Sequence, residues 1–332
     1  MSARELLGAI AALALAAPAA AQKPYAIPES PAFTFLNVTP AQVSRPTTAS
    51  AFGANVLNGI SPTGKLQQGV AIEVAPWSFV RSMRVTPAEY RTSRTKYALA
   101  NTQLSLATVR DAGDSAAMDL GVGLRVTFLD HSDPMADTGF VNELTRRQLS
   151  CLPTSTQPAA RAAAVTCQQQ QVQALRREWL EDKGHWNDAS LAAAAAGGWR
   201  FADGTLGERE WNGFAAWATG AFPLGRGGQV VGQLRYDGRA ESEVDGLSYG
   251  GRAFYGSASM NAFVEVTGGK RPVGVSTRAE WTGGLEFRAG ENLWISTGFG
   301  SRETAGGDNR GVLVADLRWQ LADGPRIGLP GF

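Results

Sequence analysis

The chain is poor in the residues that most enzyme chemistry needs. It has two histidines, His131 and His185, and two cysteines, Cys151 and Cys167, in 332 residues. Two Cys and a distant His cannot complete a zinc site, so no metal is expected. A Ser–His nucleophile has few places to form. The one tripeptide that brings the types together, His131-Ser132-Asp133, falls at a predicted strand end, where adjacent residues point to opposite faces. It reads as a polar loop with the turn signal Asp133-Pro134. No nucleotide loop stands out, and neither a catalytic residue nor a cofactor is expected. Charge is scarce too: 18% of residues are charged and the formal net charge is +1, which gives no electrostatic case for nucleic acid. Beyond residue 22 no unbroken apolar run reaches the length of a membrane helix.

The N-terminus reads as a secretory signal over residues 1–21. Arg4 supplies a short positive region, residues 6–17 an apolar core, and Ala19-Ala20-Ala21 a small-residue cleavage site before Gln22. No Cys follows that site, which argues against a lipid anchor. An exported chain without a membrane helix is secreted, periplasmic or a barrel. In such a compartment Cys151 and Cys167 are expected to form a disulfide, closing a loop worth about 3 kcal/mol in the chain-entropy account.

The pattern that organises the rest is clearest at residues 118–130, MDLGVGLRVTFLD. Met118, Leu120, Val122, Leu124, Val126 and Phe128 share one parity, and Asp119, Gly121, Gly123, Arg125 and Thr127 the other. A tilted strand of this length rises roughly 25 Å, about the height of the apolar band of a membrane barrel. Ten further segments follow the pattern with varying clarity: 70–77, 97–109, 191–201, 212–224, 229–237, 247–255, 261–267, 278–288, 293–299 and 312–321. Single-chain bacterial barrels have an even strand number, so about twelve strands are expected, with ten as the alternative and residues 33–38 as the candidate for the missing one. Residues 81–96 read as a basic loop, solvated or in contact with lipopolysaccharide.

Two stretches break the pattern. Residues 22–68 form either a lead-in docked on the barrel or a plug, with Thr47 or Thr48 capping a short helix that carries Phe52, Val56, Leu57 and Ile60 on one side. Residues 130–187 are an insertion with helices expected over 141–150 and 158–182, stapled by the two cysteines. Long connections often carry a barrel's specific function, so a protein partner could bind here.

The polar parities supply a proposed lumen lining: Glu73, Asp119, Arg125, Arg235, Arg252, Glu265, Arg278, Glu280, Glu286, Arg288, Asp316 and Arg318. Opposed charges among them are expected to pair across a narrow interior. Trp77, Trp199, Trp211, Trp281, Trp294 and Trp319 lie mostly near strand ends or on apolar faces, as interfacial girdles do.

A signal peptide, repeated amphipathic strands and a terminal Phe332 together resemble bacterial outer-membrane β-barrel proteins as a class. The resemblance is architectural, covers about residues 69–332, and departs from the usual pattern at Pro330. It implies an all-β antiparallel transmembrane barrel in the bacterial outer membrane, in contact with lipid and lipopolysaccharide, and not an enzyme. A narrow porin-like channel for small solutes is the first functional expectation. A filled structural barrel that binds a partner through 130–187 is the second.

Overall fold

Each strand of this chain pairs with the strand that follows it. The computed structural model describes residues 30–38, 43–46, 48–78, 85–111, 114, 116–153, 155, 157–179, 184–239, 246–257, 259–269, 279–290, 293–303 and 309–319. Within them runs one eleven-stranded antiparallel sheet in sequence order. Its strands are β1 Ala71–Val74, β2 Thr102–Arg110, β3 Met118–Asp130, β4 Ser190–Phe201, β5 Glu210–Leu224, β6 Gly228–Arg239, β7 Gly246–Gly256, β8 Met260–Gly269, β9 Glu280–Gly290, β10 Leu293–Glu303 and β11 Asn309–Trp319. The edges β1 and β11 are not paired with each other among the described residues. The outer edge of β1 carries Ser44, which runs parallel to it: Ser44 N–H donates to Ala71 O at 2.8 Å and Glu73 N–H donates to Ser44 O at 2.9 Å.

All eleven expected strand segments are occupied, and the proposed twelfth is not a strand. Residues Pro31–Phe35 form a short helix, α1, with Pro31 at its first turn, where a missing N–H costs nothing. Alternation is hard to read in a stretch this short, and the burial of both Phe33 and Phe35, in two separate clusters, mimics it. The next helix, α2 Ala49–Asn58, is capped by Thr48, whose hydroxyl accepts from Ala51 N–H. The expected 81–96 loop also differs, since α3 Pro87–Thr92 and α4 Arg94–Ala100 lie there. A capping box between Thr86 and Glu89 starts the first of these, and Ser93 caps the second. Tyr97 to Ala100 therefore end a helix, and β2 begins at Thr102.

The 130–187 insertion contains α5 Thr138–Ser150 and α6 Pro158–Arg177, joined by the Cys151–Cys167 disulfide. Phe140, Leu144, Leu175 and Trp179 form its small core. Arg147 reaches Glu143 and Glu178, both at 2.8 Å, tying the two helices together. At its base, Asn187 Nδ2 donates to Gly225 O at 3.1 Å and Gly228 O at 2.7 Å, so the insertion is bolted to the β5–β6 turn. Its start is held as well. Asp133 accepts from the Tyr90 hydroxyl at 2.5 Å, and Asn101 Nδ2 donates to the same hydroxyl at 3.0 Å. Burial first, and the Asp133 carboxylate second, push the Tyr90 and Tyr97 hydroxyls above the usual phenol range.

Candidate functional site

The two faces of the sheet are inverted relative to a soluble protein. On one face Leu124, Phe214, Leu285 and Leu313 are 40%, 46%, 46% and 83% exposed. On the other, Gln233, Arg252, Glu286 and Ser296 are 7%, 4%, 4% and 6% exposed. Helices pack on β2, β3 and β4, and none among the described residues packs extensively over β7–β10. A polar face this shielded beside an apolar face this exposed reverses the usual order, and the polar face is the inner one. That inside-out arrangement is the architecture of outer-membrane β-barrel proteins, with apolar side chains outward and polar ones inward. Aromatics sit on the outward face: Trp199 meets Trp211 edge-on with ring centroids 5.2 Å apart, and Trp281 meets Phe299 at 6.1 Å.

The inner face has two dissimilar halves. Across β2–β5 it is built of small residues: Ser105, Ala107, Gly121, Gly123, Ala194, Ala196, Gly198 and Ala215. Helix α1 lies on this surface, burying Ala32 and Phe33 with Ala71 and Ala107, and Phe35 with Ala194, Ala196, Ala215 and Trp217. Ala32 N–H, a free donor at the start of the helix, donates to Ser105 Oγ at 2.9 Å. The approach is so close that only glycine fits beneath it. A Cβ at Gly123 would stand 2.5 Å from Ala32 N, and one at Gly198 2.7 Å from Phe35 Cε1. This explains an alanine-rich β4 that alone could have been a helix: β3 and β5 pair both its edges, and α1 requires its inner side chains to be small.

Across β6–β10 the inner face is polar and filled by its own side chains. Arg252 Nη2 donates to Glu286 Oε2 at 2.7 Å, and Nη1 lies 3.6 Å from Glu265 Oε2. The same guanidinium stands 3.8 Å from the Phe263 ring centroid and 4.6 Å from that of Phe254. Arg235 pairs with Asp237 at 2.5 Å and lies 5.6 Å from the Trp217 centroid.

The other proposed lining residues are dispersed. Glu73 accepts from Arg45 Nε at 2.8 Å, and Asp119 accepts from Asn212 Nδ2 at 3.4 Å. Arg125 shares the parity of Gly121 and Gly123, while Glu280 and Arg288 share that of Glu286; all three are half-buried. Asp316 and Arg318 stand opposite Ser296 and Trp294 in register, and Arg278 lies outside the described residues. The ion pairs among the described residues lie within a strand, as for Arg235 and Asp237, or between strands one or two apart, as for Arg252 with Glu265 and Glu286. Arg200 with Asp111, at 3.3 Å, was missed because Asp111 lies in a turn. Missed too were Gln233, Asn261 and Ser296, buried inner residues without charge. The parity of Arg235, Glu265 and Glu286 was the signal that could have found them. At the chain's one Ser–His–Asp tripeptide, Ser132 Oγ donates to Asp130 Oδ1 at 2.6 Å, and Asp133 serves Tyr90 and Met135 N–H.

No family model and no curated protein matches the chain. Among solved structures it is similar to a triply substituted Rhodopseudomonas blastica porin, at 14% identity and TM-score 0.32, over 66% of this chain and 51% of that one. A second variant of that porin gives 13% identity and TM-score 0.27, over 68% of this chain and 57% of that one. The chain thus spans little more than half the length of the porins it matches.

Proposed function

We propose that this chain is a bacterial outer-membrane β-barrel forming a narrow porin-like channel for small solutes, with residues 30–38 seated as a plug in one half of its interior. The observation that carries the reading is the inverted burial: apolar side chains exposed on the outer face from β3 to β11, and Arg252 and Glu286 hidden on the inner face. Lipid is the solvent that suits the first, and a small wet or filled interior suits the second. The plug follows from the position of α1, which occupies the inner face of β2–β5 through apolar contacts and one buried hydrogen bond.

A second reading has its own support. Leu149, Leu152 and Val165 are exposed beside the disulfide that holds the insertion, which suits a barrel that binds a protein partner there. Planar-bilayer recording separates the two. The intact chain is expected to give small or rare openings, and a chain lacking residues 22–42 larger and steadier ones. Silence from both would refute the channel and leave the interaction barrel. Large, stable currents from the intact chain would refute the plug.

A further inference from the structure

The two ends of the sheet are connected differently. Odd-numbered strands run towards one end, the end that carries the insertion. There, three of the five connections between the described strands are close to the shortest a hairpin allows: residues 225–227, 257–259 and 291–292. The first two hairpins use glycine in the left-handed region, Gly225 at φ 64° and Gly256 at φ 151°. Adjacent turns are also strapped into a rim: Gly256 N–H donates to Gly227 O at 2.6 Å, and Arg288 N–H donates to Ser259 O at 2.8 Å. At the opposite end the connections are longer throughout, spanning 111–117, 202–209, 240–245, 270–279 and 304–308.

We infer that the insertion end is the periplasmic one, so that the disulfide-stapled module projects into the periplasm and any partner it binds is a periplasmic one. The inference rests on the outer-membrane barrel reading above and is independent of conduction. Outer-membrane barrels have short turns on the periplasmic side and longer loops outside. The two long connections at the insertion end, 75–101 and 131–189, depart from that rule, but they form a single local elaboration. They join neighbouring strands, β1 to β4, and the Tyr90 hydroxyl of one donates to the Asp133 carboxylate of the other at 2.5 Å. Around the rest of that rim every turn is tight, whereas at the opposite end the lengthening is general. The orientation takes Arg91, Arg94 and Lys96 away from lipopolysaccharide, an outer-leaflet lipid, because α3 and α4 belong to the 75–101 connection. It also puts Leu149, Leu152 and Val165, exposed beside the disulfide, out of reach of ligands in the medium.

The test places a short peptide epitope after Pro153 in one variant and between residues 242 and 243 in another, in cells expressing the protein. Both variants are first checked for the heat-modifiable folded band. Antibody is added to intact cells and again after the outer membrane has been opened. We expect the 242 epitope to be bound on intact cells, and binding to the 153 epitope to rise at least ten-fold on opening. Full binding to the 153 epitope on intact cells overturns the inference, as does a 242 epitope reached only after opening. Should either insertion prevent folding, proteinase K on the unsubstituted protein decides. Cleavage within 138–177 is then expected only after opening, and cleavage there on intact cells overturns the inference. The expected order of binding together with silence in planar bilayers would uphold the orientation and refute the channel. Recovery of the protein in the soluble fraction would refute the barrel itself.

Discussion

Replacing Gly123 by valine should unseat the N-terminal segment without harming the wall. The α1 seat is held by burial of Phe33 and Phe35, which are 6% and 1% exposed. Each such burial contributes about 1.5–3 kcal/mol, and the Ala32 to Ser105 hydrogen bond about 1 kcal/mol. Ordering the helix costs about 1–2 kcal/mol per residue over Pro31–Phe35. The two sides are of similar size, so the docked state has only a small margin. A side chain at Gly123 would meet Ala32 N at 2.5 Å, Ser105 Oγ at 2.7 Å and Pro31 Cβ at 2.8 Å; the hydroxyl can rotate away only by giving up its hydrogen bond to Ala32, and the contacts with the helix itself remain. Overpacking of this kind costs about 1–3 kcal/mol, which lowers the ratio of docked to released segment roughly 5- to 150-fold. Valine also favours strands, so β3 itself should be unharmed. A cysteine at Thr34, half-buried on α1, reports release through its reaction with a water-soluble maleimide. Gly232→Val is the control, because a Cβ there meets nothing within 4 Å. Equal labelling of Thr34→Cys in the Gly123→Val and unsubstituted proteins, both folded, would refute the seat.

The outer face can be mapped with single cysteines at Leu124, Trp281 and Leu285 and the inner with Arg125 and Glu280: membrane-soluble and water-soluble maleimides should separate the sets, and equal aqueous labelling of both would remove the membrane reading. Replacing Cys151 and Cys167 together by alanine should leave the heat-modifiable barrel intact while proteases cut faster between 138 and 177, since the staple closes a loop outside every strand; loss of the folded band would mean that the insertion is part of the core. Glu143 is held down to about 2 by hydrogen bonds from Arg146 and then Arg147. Its folded value lies below the ordinary 4.5, so its contribution to the insertion is complete above that value and lost as pH falls towards 2. Pepsin cleavage of the 138–177 hairpin should therefore rise over that window, and Glu143→Gln should flatten the rise.

Strand positions were legible because a wall between lipid and a polar interior sorts side chains with period two, as in β3 and β9. What alternation could not show was the second partner of the inner face. Gly123 and Gly198 are the floor beneath a helix drawn from residues 31–35, and only three-dimensional contact ties the two together. For the same reason the sequence placed charge pairs across the interior, whereas Arg252 finds its carboxylates one and two strands away. Helices α3 and α4 went unseen because their evidence is in hydroxyl caps at Thr86 and Ser93, while the basic residues between and after them resemble a loop.

The base of the insertion has a practical consequence. The β3–β4 hairpin stays paired through a bulge between Thr127 and Leu129 to Asp130 opposite Ser190, so the crossing is a natural site for a foreign epitope or a sensor domain. The limits of such a graft are set by two anchors. Asp133 ties the outgoing chain to Tyr90, and Asn187 ties the returning chain to the β5–β6 turn. Exchange confined to residues 138–179 leaves both in place. A cut made closer to the strands would free α3 and α4 on one side and loosen the neighbouring hairpin on the other, so a transplanted module would disturb strands it never touches.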